Sequence, residues 1–282
     1  MREDSSLVGG FGPVRPLRKN SCDASCLPRL DWKDDKVNFH LRNGTPVILT
    51  GSCPLVASIE RWSAEYLSQN LPAEAAGEWP VHYTPSTVRS VTRVYGEGLG
   101  VGGIKEMSYG EFAKALTSRT SSSGSAHDDD DKSNLYLQVL LKWARGGGCY
   151  SQRSLGPVLD SELDALDWSW LSTACREIAA GSGDPAQQTA LEACQMWHSH
   201  GGVETPMHYD GSDNFLAQIR GRKRVRLYPP SSGFRLYPYP VGGPKDNYSL
   251  VADPEDPQNH DRFPAFAGLP SYTGVLEPGD VL

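Results

Sequence analysis

The stretch from Glu204 to Pro230, ETPMHYDGSDNFLAQIRGRKRVRLYPP, constrains the fold more than any other part of this chain. In an extended strand, residues two apart point to the same face. His208 and Asp210 therefore aim an imidazole nitrogen and a carboxylate oxygen at one point, while Tyr209 packs the other way. Arg220-Gly221 reads as a tight turn, which makes Phe215 to Ile219 and Val225 to Tyr228 neighbouring antiparallel strands. Lys223 lies on the second of these. A lysine inside a small barrel is costly unless an anion pairs with it. Arg222 and Arg224 flank it with opposite facing, and turning a single lysine inward is the cheaper choice. An inward Lys223 implies a bound carboxylate, and the rest of the run Arg220 to Arg226 is expected to be a solvated strand face.

His-x-Asp is a chelating pair, and with a second histidine it would form a facial triad, the arrangement that suits non-heme Fe(II) oxygenases. Thr205 lies three residues before His208 and Asn214 four after Asp210, so two further polar side chains lie close to the pair in sequence. The formal net charge of −7 leaves no broad basic face for a nucleic-acid partner, and none is expected. The N-terminus lacks the apolar run of a signal peptide and no stretch is long and apolar enough for a membrane span, so the expected location is cytoplasmic or nuclear. The six cysteines lack zinc-like pairing and are expected to be free thiols.

Along the chain, residues 1–35 are rich in Gly, Pro, Ser and charge and are expected to form a flexible arm, with one domain over 36–282. Pro46 to Thr50 reads as a buried strand. Ile59 to Leu71 has the spacing of an amphipathic helix. A second helix starts at Ser108, where Ser-Tyr-Gly-Glu111 fits a capping box. Residues 117–133 read as a disordered insertion, Tyr136 to Leu141 as a strand, and Ser161 to Ala179 as a helical region. Gly and Pro punctuate everything after Tyr228.

Residues 204–230 resemble the jumonji-C, or cupin-like, 2-oxoglutarate-dependent oxygenases, most closely the asparaginyl hydroxylase that acts on the hypoxia-inducible factor. The likeness extends from about Pro46 to Leu282, through Trp62-Ser-Ala-Glu-Tyr-Leu67, Leu135-Tyr-Leu-Gln138, Trp168-Ser-Trp170, Leu236-Tyr-Pro-Tyr-Pro-Val241, Arg262-Phe-Pro264 and Pro278-Gly-Asp-Val-Leu282 in the same order. It implies a mainly-β double-stranded β-helix of jelly-roll type with peripheral helices. It also implies an Fe(II)- and 2-oxoglutarate-dependent protein hydroxylase that consumes O2 and acts on a side chain of a protein or peptide substrate. On this resemblance His208 and Asp210 are iron ligands. Lys223 pairs with the distal carboxylate of 2-oxoglutarate, assisted by Thr205 and Tyr136, and Asn214 lines the same pocket. Gln138, Asp246, Asn247 and Tyr248 fall at substrate-contacting positions.

The chain departs from that pattern in two places. Asp246 is followed by Asn247-Tyr248, where the asparaginyl hydroxylase has an Arg-Gln pair that holds the target amide. The second iron histidine of the family lies in a strand after Gly279-Asp-Val-Leu282, so the domain is expected to be truncated in its C-terminal strands, with an unpaired barrel edge and low or no activity. A homodimer would need helices beyond that point. His260, which the resemblance places in a loop, and His198 and His200, read as strand or loop residues, are the other histidines near the motif. A non-catalytic cupin-like binding module is the competing reading. A lysine demethylase would use the same iron core, but no segment resembles a histone reader.

Overall fold

The computed structural model describes residues 4–5, 24–72, 78–84, 103–121, 134–145, 148–151, 154–182, 193–243, 245–251 and 253–282. In chain order the elements are β1 (Asp4–Ser5), β2 (Ala24–Cys26), β3 (Arg29–Asp31), α1 (Lys36–Arg42), β4 (Ile48–Thr50), α2 (Ala64–Asn70), β5 (Glu78–Thr84), β6 (Gly103–Ser108), α3 (Tyr109–Ser121), β7 (Asn134–Arg145) and β8 (Gly148–Ser151). They continue as α4 (Pro157–Asp164), α5 (Trp168–Ser182), β9 (Ala193–Ser199), β10 (Lys223–Leu227), a 3-10 turn (Pro230–Leu236), α6 (Pro257–Arg262) and β11 (Ser271–Leu276).

The long strand β7 organises one sheet. Antiparallel β5, β8 and β9 pair with different parts of it, and β6 pairs beyond β5. Its alternation is decisive. Leu135, Leu137, Val139 and Leu141 are buried against Trp79, Phe112, Leu159 and Leu163, in a core that α2, α3 and α4 cover. Tyr136 and Gln138 consequently face away from those helices. The second sheet runs β1-β10-β11-β2, with β11 and β2 parallel. Leu27, Ile48, Val225 and Leu276 form the apolar cluster of that side.

Local signals account for the helix starts. Ser108 and Glu111 form the expected capping box: the Ser108 N–H donates to Glu111 Oε2 at 2.8 Å and the Glu111 N–H donates to Ser108 Oγ at 3.2 Å. Ser63 caps α2 by accepting the Tyr66 N–H at 3.1 Å, so that helix begins after Ile59 and Trp62 rather than including them. Asp167 accepts the Trp170 N–H at 2.9 Å and thereby divides the expected helix over 161–179 into α4 and α5.

Other expectations are corrected. The arm over 1–35 is in part structured, because β2 and β3 pair with β11 and β4, and Leu27 is buried. Within 117–133, residues 117–121 continue α3, and 122–133 lie outside the described residues. Residues 215–219 are not the hairpin partner of β10. The turn at Gly221, with φ of 65°, leads into a strand that pairs with β11, while Leu216 and Gln218 bond to Leu282 and Asp280. The stretch 280–282 is therefore no unpaired edge, since Val281 exchanges both backbone bonds with Leu49 on its other side. Asp280 also takes a two-pronged pairing from Arg29, at 2.9 and 2.8 Å, which ties this stretch to β3.

Two buried polar groups matter for acid stability. His198 on β9 packs against Tyr109 and Phe112, with Nδ1 2.9 Å from the Tyr109 hydroxyl, and burial depresses its pKa to about 4. Burial pushes the Glu162 carboxyl up, but hydrogen bonds from Tyr66, Trp62 and Arg61 outweigh that and leave it below its ordinary value. Both shifts act in the same direction. The unfolded chain binds more protons, so stability falls as pH drops: for His198 between the ordinary 6.5 and about 4, for Glu162 below the ordinary 4.5. In urea unfolding from pH 7 to 4.5, the wild type is expected to lose on the order of 3 kcal/mol through His198. His198→Phe should flatten that limb while leaving the loss below pH 4.5 to which Glu162 contributes.

Candidate metal-binding site

Residues 204–214 form no regular strand; the segment is extended and held by bonds from elsewhere. Met207 is its anchor, buried with Val251, Phe263, Phe266 and Leu269. From there the chain runs beside Asn247 to Ser249. Tyr209 N–H donates to Asn247 O at 2.9 Å, Ser249 N–H donates to Met207 O at 2.9 Å, and His208 bridges Tyr248.

The geometry around His208 selects its tautomer. Nδ1 lies 2.8 Å from the Pro206 carbonyl oxygen, which can only accept, so Nδ1 carries a proton and, in the neutral imidazole, Nε2 presents a lone pair. That lone pair faces Asp210 Oδ1 at 3.8 Å. Two donors that are each ~2.1 Å from one divalent ion stand about 3 Å apart at adjacent octahedral positions, so the pair would close by somewhat less than ~1 Å to hold such an ion. A lone pair set against a carboxylate oxygen also calls for positive charge between them. Asp210 Oδ2 is occupied separately, accepting from Asn214 Nδ2 at 2.9 Å. His208 is largely buried and Asp210 half exposed, which leaves the ion an approach from solvent. The donor set of imidazole nitrogen and carboxylate oxygen fits a first-row divalent metal.

The other candidate residues occupy defined places. Tyr136 and Gln138 share the face of β7 that turns away from the helices, Tyr136 pairing with Ser199 and Gln138 with Trp197 on β9. Gln138 donates to Gln195 at 2.6 Å. Lys223 is buried on β10, opposite Leu276 and on the face of Val225. Thr205 is half-buried just before the metal pair. Asp246 Oδ2 accepts the Gly242 N–H at 3.2 Å, Asn247 Nδ2 donates to Tyr209 O at 3.0 Å, and the Tyr248 ring lies 5.4 Å from His208 at 32°. Among the described residues no cluster of three or more His, Cys, Asp or Glu side chains stands ready for a metal. His198 is committed to Tyr109, His200 Nδ1 lies 2.6 Å from Gly201 O, and His260 sits on α6 rather than in a loop, 6.0 Å from the Phe266 ring.

The basic run is not a solvated face. Lys223, Arg224 and Arg226 are all buried, and both arginines reach Glu255 Oε1, at 3.2 and 3.1 Å. Burying a strand on both faces forces every charge on it to find a partner. Glu255 lies 29 residues beyond Arg226, across a Pro-rich loop, so no local spacing points to it. The Asn247 and Pro206 contacts were equally invisible, since both depend on main-chain atoms.

Residues 35–282 match the cupin-like domain. The chain belongs to that family. Its mainly-β fold with helices outside is the cupin jelly roll that the motifs implied. It is 35% identical over 109 residues to JmjC domain-containing protein D of Dictyostelium discoideum, covering 38% of this chain and 24% of that protein. It is 41% identical over 104 residues to lysine-specific demethylase 8 of Danio rerio, covering 36% and 23%. It is 43% identical over 84 residues to tRNA wybutosine-synthesizing protein 5 of Gallus gallus, covering 30% and 24%. The match thus spans about a quarter of the length of these relatives.

Glu255→Ala leaves two buried guanidinium groups without that carboxylate. It is expected to cost about 3 kcal/mol or more in equilibrium urea unfolding.

Proposed function

We propose that this cupin-like protein is an Fe(II)- and 2-oxoglutarate-dependent oxygenase that hydroxylates a side chain of a protein or peptide substrate. The observation that carries this reading is the His208–Asp210 pair, with the Nε2 lone pair and a carboxylate oxygen 3.8 Å apart and the tautomer fixed by Pro206. Bound there with 2-oxoglutarate, Fe(II) supplies O2 activation coupled to decarboxylation, giving succinate, CO2 and a hydroxylated product. His208 and Asp210 hold the ion, and the Pro206 carbonyl keeps the imidazole in its ligating tautomer. Lys223 is the residue suited to the distal carboxylate of 2-oxoglutarate, because a buried ammonium gains most from a buried anion. Thr205 and Tyr136 supply hydroxyls, and Asn214 holds the second oxygen of Asp210.

A protein substrate is preferred over a nucleic acid although one relative is named for tRNA. The net charge is −7, and three residues of the densest basic run are buried in the fold instead of facing a phosphate backbone. The relatives named as lysine-specific demethylases favour a protein target. With Asn247-Tyr248 in place of an amide-gripping pair, nothing in the loop favours asparagine over other side chains.

Succinate formation from 2-oxoglutarate, measured with and without Fe(II), tests the reading. Iron-dependent turnover that falls at least ~100-fold in Asp210→Ala supports it, a drop in line with losing a transition-state-specific contribution of roughly 3 kcal/mol. Lys223→Met should raise the KM for 2-oxoglutarate with less effect on kcat, since it removes binding common to ground and transition states. A protein that folds, binds peptide and neither takes up Fe(II) nor consumes 2-oxoglutarate is a non-catalytic binding module. That reading draws on the absence of a three-residue metal cluster among the described residues.

A further inference from the structure

Tyr209 stands between the two metal ligands, and a single residue grips both of its peptide groups. Its N–H donates to Asn247 O at 2.9 Å, and its carbonyl oxygen accepts from Asn247 Nδ2 at 3.0 Å. The pairing resembles an antiparallel bridge in which a side-chain amide replaces one main-chain donor. Next to it, Tyr248 bridges His208 through the backbone and lays its ring 5.4 Å from the imidazole at 32°. On the far side, Asn214 fixes one oxygen of Asp210 and leaves the other toward His208 Nε2.

Such a grip has a consequence for the metal. The separation of the Cα atoms at i and i+2 is set by φ and ψ of the residue between them, and the donor atoms follow it through their side-chain torsions. No regular strand holds 207–210, so in the absence of an external clamp those angles would vary and the distance between the two donor atoms with them. An asparagine side chain has the one group required, an N–H donor on a short, stiff stem.

Resting on the metal reading of the pair, we infer that Asn247 is a positioning residue that fixes the separation of the His208 and Asp210 donors, with Tyr248 orienting the imidazole, rather than a substrate contact. One of the two N–H donors of the amide is taken by Tyr209 O.

Cobalt(II) serves as the probe, titrated into the metal-free protein and followed by calorimetry and by its visible ligand-field bands. Asn247→Asp, which keeps the shape and turns the donor into a carboxylate facing a carbonyl, and Asn247→Ala are each expected to weaken Co(II) binding ten- to hundredfold, the range for residues that orient metal ligands, and to shift the bands. Ser249→Ala is the control. Its hydroxyl donates to Leu236 O at 2.5 Å in the same loop and touches neither ligand, so the variant should lower the unfolding midpoint and keep the wild-type affinity. Wild-type affinity and bands in both Asn247 variants overturn the inference while leaving the metal site standing. A wild type that binds Co(II) no better than His208→Ala overturns both.

Discussion

The placing of His208 beside Asp210 depends on backbone hydrogen bonds made by a segment that has no strand of its own. Residues 204–218 make only isolated bridges and join none of the three sheets as a strand. They are held at separate points: Met207 and Tyr209 by the loop at 247–249, Leu216 and Gln218 by 280–282. Each point satisfies main-chain groups that would otherwise be costly to bury. Between those points the chain bends at Gly211, leaving Asp210 half exposed beside a largely buried His208. A fully paired central strand would have fixed the same side chains but closed the approach to them.

Burial of charge is the second organising constraint. β10 carries Lys223, Arg224 and Arg226, all buried, and the fold answers with Glu255 on one face. Elsewhere Glu162 is buried among Arg61, Trp62 and Tyr66, which join α4 to the turn before α2 and to α2 itself. Removing Glu255 would leave Arg224 and Arg226 buried without that carboxylate, whereas Arg61 is exposed and Glu162 keeps further donors when any one is lost. His198 solves the same problem differently, by giving up its charge, so that it can sit against Phe112 and Tyr109 in the apolar core.

What was legible in the sequence follows from the range of the interaction that produces it. The capping box at Ser108 and Glu111 acts over three residues, and the apolar alternation of β7 from Leu135 to Leu141 over seven, so both were readable. That His208 and Asp210 lie on one side of the chain, 3.8 Å apart, follows from a period of two that an extended stretch keeps whether or not it is paired. The hairpin expected between 215–219 and β10 failed because a turn signal gives a reversal of direction and not a partner; long-range pairing chose 280–282 and β11 instead. Glu255 and the Asn247 clamp were hidden for the same reason, being contacts over 29 to 38 residues that no local pattern encodes.

The two halves of the candidate site are held by different physics, and this separates what each tolerates. Lys223 rides on a regular strand, where register with Leu276 and Ser5 fixes its position through several ladder bonds at once. A single weakened contact there is shared among neighbours. The metal pair has no such redundancy. Its spacing rests on two bonds to Tyr209 and its tautomer on one to Pro206. A divalent ion tolerates little error in ligand distance, and an unpaired segment corrects little. Variation at Asn247 should therefore reach the spacing of His208 and Asp210 well before it disturbs Lys223.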